Sequence, residues 1–360
     1  MCSAPARTLK FKSDNEVQRE LRGRVDRYFE STGLDRRDCP RMYLKTAVVL
    51  GWTAAFYILL VFFTSHWWLA VPLAIGLGLA LAGVGFNVQH DGGHGAYSKR
   101  AWVNRLMARS LDLLGGSSYI WARKHNSIHH SYANVTGHDG DIDLGIVGRL
   151  SPHQSRLTFH RYQHFYLWVL YGLLPIKWQL YDDFHDVIVG RVAGHPLTRP
   201  RGWDLVTFIG GKLIFFLLAF AIPLWLHPVW VVVLVYLVVS FVQGLTLSIV
   251  FQLAHCVEEA AFPLPLEGTN RMEQAWAVHQ LATAVDYGRG NRLLSWFVGG
   301  LNFQIEHHLF PDICHIHYAA LSQVVEELCV ELGLPYAAHE TITSAVVSHY
   351  RWLRRLGVAD

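Results

Sequence analysis

Residues 46–90 read TAVVLGWTAAFYILLVFFTSHWWLAVPLAIGLGLALAGVGFNVQH, 45 residues between Lys45 and Asp91 without one Asp, Glu, Lys or Arg. As a single helix the stretch would run roughly 67 Å, about twice the hydrocarbon thickness of a bilayer. It therefore predicts two membrane-spanning helices with a turn at Ser65-His66-Trp67-Trp68, where interfacial aromatics gather. A second charge-free run of the same length lies between Lys212 and Glu258 and turns at Trp225-Leu226-His227-Pro228. The expected fold is an all-α integral membrane protein whose four transmembrane helices form two hairpins, over about 46–64, 68–89, 205–225 and 229–254.

Composition agrees with that reading. A chain of 360 residues suggests two soluble domains by length alone, but 52% hydrophobic and 16% charged residues point to membrane. Basic residues set the orientation, because Lys and Arg are retained on the cytosolic side of short connections. Eleven lie in 1–45, thirteen in 90–203, six in 257–360, and none in either hairpin turn. Both termini and the long middle loop are expected in the cytosol. No short apolar core with a cleavage site precedes the first span, so the N-terminus should stay inside. The five cysteines (Cys2, Cys39, Cys256, Cys314, Cys329) contain no Cys-x-x-Cys pair and are expected as free thiols. A net charge of +3 without a concentrated basic domain excludes nucleic acid as a partner.

Around the spans the sequence predicts a cytosolic N-terminal amphipathic segment over 1–45, a membrane and catalytic unit over 46–330, and a cytosolic C-terminal helical segment over 331–360. Ser13-Asp14-Asn15-Glu16 has capping-box spacing and opens a helix with Val17, Leu21, Val25 and Phe29 on one face, expected to lie on the cytosolic surface. Residues 101–124 read as a helix lying against the bilayer or the bundle, and 164–178 as interfacial or re-entrant, too short to span. Residues 318–332 and 340–356 read as cytosolic helices that cap the site, the second ending in Arg351, Arg354 and Arg355.

Chemistry is concentrated in three clusters: His90-Asp91-Gly92-Gly93-His94, His125-Asn126-Ser127-Ile128-His129-His130, and Gln304-Ile305-Glu306-His307-His308. On a helix continuing from the second span, His90 and His94 project from one face, and His125 and His129 repeat the spacing. Gly92 and Gly93 weaken the helix but remove bulk where a metal or a neighbouring helix must approach. Seven clustered imidazoles exceed the ligand set of one four-coordinate zinc, so two metal ions fit better. His255, at the inner end of the fourth span, and His279 are further candidate ligands. Isolated histidines such as His66, His153, His195, His227 and His349 are assigned to packing. Imidazoles gathered beside an apolar interior suggest oxidation of a lipid, and attack on an unactivated methylene needs a metal that reacts with oxygen, which favours iron. Asp91, Asp139, Asp141, Asp143 and Glu306 are candidates to orient the ring N–H groups.

At these residues the chain closely resembles the membrane fatty acid desaturases, whose three histidine boxes have the forms H-x(3,4)-H, H-x(2,3)-H-H and (H/Q)-x-x-H-H. The stretch Leu301-Asn302-Phe303-Gln304-Ile305-Glu306-His307-His308-Leu309-Phe310-Pro311 is similar to the third-box region of front-end desaturases and of bacterial linoleoyl-CoA-type enzymes. The resemblance covers roughly residues 40–330. It implies a cytosolic helical cap holding two Fe ions, O2 as co-substrate, an acyl chain carried past the irons in an apolar tunnel, and a double bond plus water as products. The box ligands it implies are His90, His94, His125, His129, His130, His307 and His308, with Gln304 ligating through its carbonyl or holding a water. Many front-end enzymes carry a fused cytochrome b5 with a His-Pro-Gly-Gly motif, which these 360 residues lack. Electrons are therefore expected from a separate ferredoxin, cytochrome b5 or flavoprotein reductase, and the substrate as acyl-CoA or a lipid-linked acyl group amid membrane lipids. Two rivals are a lipid or fatty acid hydroxylase on the same di-iron framework and a non-enzymatic histidine-rich protein that binds or conducts metal ions. Ion conduction would favour polar residues within the spans, which are mostly aliphatic and aromatic.

Overall fold

The computed structural model describes residues 8–358, which include all the candidate site residues; Cys2 lies outside them. Among the described residues four helices are long and apolar enough to cross a membrane: Pro40–Phe63, Trp67–His94, Trp203–Leu226 and Val229–His255. They match the four expected spans to within a turn or so at most ends. The first long helix starts earlier because Pro40 occupies its first helical position, where a missing N–H costs nothing. The second runs unbroken to His94 and carries the whole first histidine cluster.

The second long helix packs against the first and the fourth. A Cβ at Gly78 would lie 2.7 Å from the Val239 carbonyl, so only glycine lets those two backbones approach. The third long helix is tied in by polar contacts. Its buried Lys212 pairs with Asp183 at 2.7 Å and donates to the Gly115 carbonyl at 2.6 Å. A charge at that depth persists only with such partners. Tyr57 donates to the Leu218 carbonyl (2.9 Å), and His227 Nε2 meets the Val61 carbonyl (2.7 Å). Around the helix ends remote from the histidines, Phe63, Trp67, Trp225 and Trp230 are exposed, as suits an aromatic belt in a membrane protein.

Residues 101–124 depart from the single helix expected. They form three short helices, Ala101–Ala108, Ser110–Leu113 and Ser118–Trp121, before a π-helical stretch Ala122–His129. Gly115 breaks the run in a left-handed conformation (φ +87°), where a Cβ would strike Phe215 at 2.7 Å. Ser117 then opens the next helix, its hydroxyl accepting from Ile120 N. Residues 163–177 form two short helices, Gln163–Tyr171 and Leu174–Lys177, with Phe165, Val169 and Leu173 exposed.

The N-terminal helix Glu16–Thr32 forms without the Ser13 capping box; Asp14 Oδ1 accepts from Glu16 N instead, at 3.1 Å. Its apolar face is covered by protein, since Leu21, Val25 and Phe29 share a core with Leu321, Val325 and Leu328 of the helix Tyr318–Leu332. The C-terminal helix Ile342–Val358 buries Trp352, Leu353 and Leu356 against Leu150 and Leu167. Three two-stranded ladders complete the described fold; two are parallel, pairing Lys10–Lys12 with Arg271–Ala275 and Asp286–Tyr287 with Ala338–His339. Cys39, Cys256, Cys314 and Cys329 are free and buried.

Candidate metal centre

Histidines from four separate segments meet at one end of the long helices. His90 and His94 come from the end of the second, and His255 from the end of the fourth. His125, His129 and His130 come from the π-helical stretch and the turn after it, while His307 and His308 sit on the short helix Gln304–Leu309. The wider π turn lets His125 and His129 stack at 5.3 Å with His130 edge-on to both.

Among the described residues two all-histidine groups emerge, each with ligand atoms within 4.8 Å of one another: His90, His94, His125 and His307 in one, His129, His255 and His308 in the other. His130 lies between them, its ring 4.5 Å from His94 and 4.4 Å from His308. Gln304 adjoins the second group, its Nε2 lying 3.0 Å from His255 Nε2. His279 joins neither. Its ring rests on Phe11, and it hydrogen-bonds the Ala133 backbone. Of the isolated histidines, His153, His195, His227 and His349 meet backbone carbonyls, and His66 stacks on Trp68.

Hydrogen bonds fix the tautomers of the second group. His255 Nδ1 donates to the Thr283 carbonyl at 3.0 Å, so its Nε2 carries a lone pair. Gln280 Nε2 donates to the His130 carbonyl (3.1 Å), which turns its Oε1 to accept from His308 Nδ1 (2.8 Å). His308 Nε2 therefore also carries a lone pair, and it faces His255 Nε2 at 3.1 Å. His129 Nδ1 donates to Asp139 Oδ2 (3.0 Å), leaving His129 Nε2 buried without a protein partner. Opposed imidazole lone pairs repel unless a cation lies between them. Two imidazoles bonded to one ion at about 2.1 Å and at right angles would stand about 3.0 Å apart, close to the separation found.

The first group is held differently. His90 Nε2 and His125 Nε2 stand 3.3 Å apart, and His94 Nε2 and His307 Nε2 are buried without partners. Tyr318 lies 3.4 Å from His307 Nδ1, a long contact, so packing does most of the positioning. Trp121 stacks on His125 at 4.5 Å and sets its edge against His90 and His94. That approach requires Gly93, where a Cβ would fall 2.2 Å from the Trp121 ring. Gly92 serves helix packing, since a Cβ there would lie 2.6 Å from Ala108 N. Burial, reinforced by the neighbouring rings, holds His130, His307 and His308 well below the usual histidine pKa and hence neutral, as metal ligation requires.

Of the carboxylates expected to orient these rings, Asp139 does so directly. Asp141 lies 3.9 Å from Nδ1 of both His125 and His129, one from each group, and pairs with Lys124 at 2.7 Å. Asp91 instead accepts from His315 Nδ1 (2.8 Å), while His315 Nε2 faces the buried Lys45 Nζ at 2.8 Å. Asp143 is exposed and caps the backbone at Gly145. Glu306 shares the Tyr336 hydroxyl with Asp286, and burial keeps both acids above the usual carboxylate range, Asp286 at about 6. The sequence reading missed Gln280, Thr283 and Tyr318. Trp121, four positions before His125, follows the helical spacing that could have marked it; the other three carry no such signal. A cavity of about 370 Å³ lies among the long helices, lined by Leu50, Tyr57, Val84, Leu114 and Gln243 and by none of the clustered histidines. A smaller one of about 210 Å³ backs directly on Trp121 and Lys124.

Residues 65–340 match the family model described as fatty acid desaturase. The chain belongs to the fatty acid desaturase family. It is similar to the sn-1 linoleoyl-lipid 6-desaturase of Arthrospira platensis, 37% identical over 346 residues that cover 95% of this chain and 92% of the relative. The Synechocystis sp. protein of the same name is 36% identical over 356 residues, 99% of both chains. An acyl-lipid (8-3)-desaturase of Physcomitrium patens is 36% identical over 344 residues, 94% of this chain and 71% of the relative. This desaturase is thus an oxidoreductase, and neither the hydroxylase nor the ion-binding rival is favoured.

Proposed function

We propose that the chain is an oxygen-dependent di-iron desaturase that introduces a double bond into an acyl chain esterified to a membrane lipid. The single observation that carries the metal reading is the pair of lone-pair nitrogens, His255 Nε2 and His308 Nε2, facing each other at 3.1 Å. His90, His94, His125 and His307 would hold one ion. His129, His255 and His308, with Gln304 beside them, would hold the other, and His130 lies within reach of both. Iron bound there would supply the activation of O2 and the removal of hydrogen from an unactivated methylene, chemistry that zinc lacks.

The protein's own groups hold protons away from the ligating atoms. Asp139, Gln280 and the Thr283 carbonyl keep them on Nδ1 of His129, His308 and His255. Trp121 and the buried rings exclude bulk water. In the balanced reaction two hydrogens leave adjacent methylenes, a separate donor supplies two electrons with two protons, and O2 becomes two waters. The lipid-linked substrate, rather than acyl-CoA, follows the names of the relatives. The excess of basic residues at the histidine-bearing end favours the cytosol for that end, and the four apolar helices would make four membrane passes.

Fatty acid profiles of host lipids with and without the expressed chain test the reading. A new double bond in lipid-bound chains, absent with His308→Ala, is expected, along with two irons per chain. A hydroxy acid without unsaturation would overturn the desaturation outcome, and native zinc in both positions would overturn the iron assignment.

A further inference from the structure

Two thiols far apart in sequence meet beside the histidine centre and have no part in it. Cys39 occupies the N-terminal cap position of the first long helix, and Cys314 follows the third histidine cluster. Both are buried in one small core with Met42, Tyr97 and Val103. Cys39 Sγ lies 3.2 Å from His317 Nε2, which also meets the Asp35 carbonyl at 2.9 Å and so carries a proton directed at both. A helix N-terminus and an N–H donor are the surroundings that favour thiolate.

We propose that Cys39 and Cys314 form a redox-active pair, Cys39 the attacking thiol and Cys314 the resolving one, which a peroxide oxidises to a disulfide. The Cys39 thiolate attacks one peroxide oxygen, the O–O bond breaks, and protonation of the departing hydroxide gives water and a sulfenic acid. The Cys314 thiol then attacks the Cys39 sulfur, the S–S bond forms and a second water leaves. Two thiols are oxidised and one peroxide is reduced. The two environments differ in the direction this asks. The Cys314 thiol and then His317, against burial, draw Cys39 below the ordinary thiol range, whereas Cys39 beside it and burial hold Cys314 well above that range. Cys329, by contrast, is pushed up to about 12 by burial.

The disulfide would fasten the start of the first long helix to the segment that carries His315, the partner of Asp91 next to His90. Hydrogen peroxide titration of the full-length protein in native membranes, followed by alkylation and site-mapped peptide mass spectrometry, tests this. Expected are a Cys39–Cys314 linked peptide that a dithiol reductant reverses, and loss of Cys39 alkylation at least about tenfold faster than loss at Cys329. Cys314→Ser should stop at a dimedone-reactive Cys39, and Cys39→Ser should leave Cys314 reduced. Oxidation of Cys256 and Cys329 at the same rate as Cys39, or no linked peptide after Cys39 has been consumed, would overturn the pair.

Discussion

The two histidine groups lie side by side yet are held by different physics. In the second, the Nδ1 atoms of His129, His255 and His308 are each pinned at 2.8–3.0 Å by a carboxylate, a carbonyl or an amide. In the first, Tyr318 makes one long contact, and the rings of His90, His94 and His125 rest on Trp121. The second group is oriented by directional bonds with a strong preferred geometry. The first is oriented by packing, which constrains position more than rotation. The proposed di-iron centre would thus pair a stiff half with a more compliant half.

The sharpest break of this comparison removes one ligand from each side. His308→Ala and His307→Ala should each lower desaturation by more than about 100-fold, beyond the effect expected for a supporting residue. Iron per chain should fall from two towards one in both, with the surviving ion in the opposite group; two irons retained in either variant would abolish the division. Asp139→Asn comes next. It should weaken iron at the second group by about 10- to 100-fold while the first keeps its spectroscopic signature, as iron titration followed by Mössbauer spectroscopy would show. Equal weakening of both groups would mean that Asp139 supports the centre as a whole.

Gly93→Ala tests the packed half. Its methyl would sit 2.2 Å from the Trp121 ring, so the indole must move, at a cost of about 1–3 kcal/mol in stability. Thermal unfolding and indole fluorescence should both shift, and iron should loosen first from the first group. Tyr318→Phe is the mildest test. At 3.4 Å the contact contributes less than about 1 kcal/mol, so activity should fall less than about fivefold by product assay. A larger loss would show that the first group, too, depends on directional bonding.

The helices of the bilayer region were readable because a membrane forbids charge over a fixed length, and the runs from 46 to 90 and from 213 to 257 obey that rule. The clustered histidines were readable because helical spacing announces a shared face. His255 was suggested by its place at a helix end, whereas His279, named as a further candidate, packs on Phe11. Spacing cannot report a tertiary contact. Gln280 reaches His308 across 28 positions, and Asp91, one residue from a ligand, turns to His315 at a separation of 224. The break in 101–124 was equally hidden, because Gly115 matters through Phe215 on a distant helix.

The second long helix is a rod of 28 residues with its working rings at one tip. Gly78, twelve positions before His90, is the fulcrum at which it leans on the fourth helix, about 18 Å from those rings. A change in tilt of one degree there swings His90 by about 0.3 Å, comparable to the tolerance of a metal–nitrogen bond. The packing of the second helix on the fourth at Gly78, which sets its tilt, is thereby geared to the reach between His90 and His307.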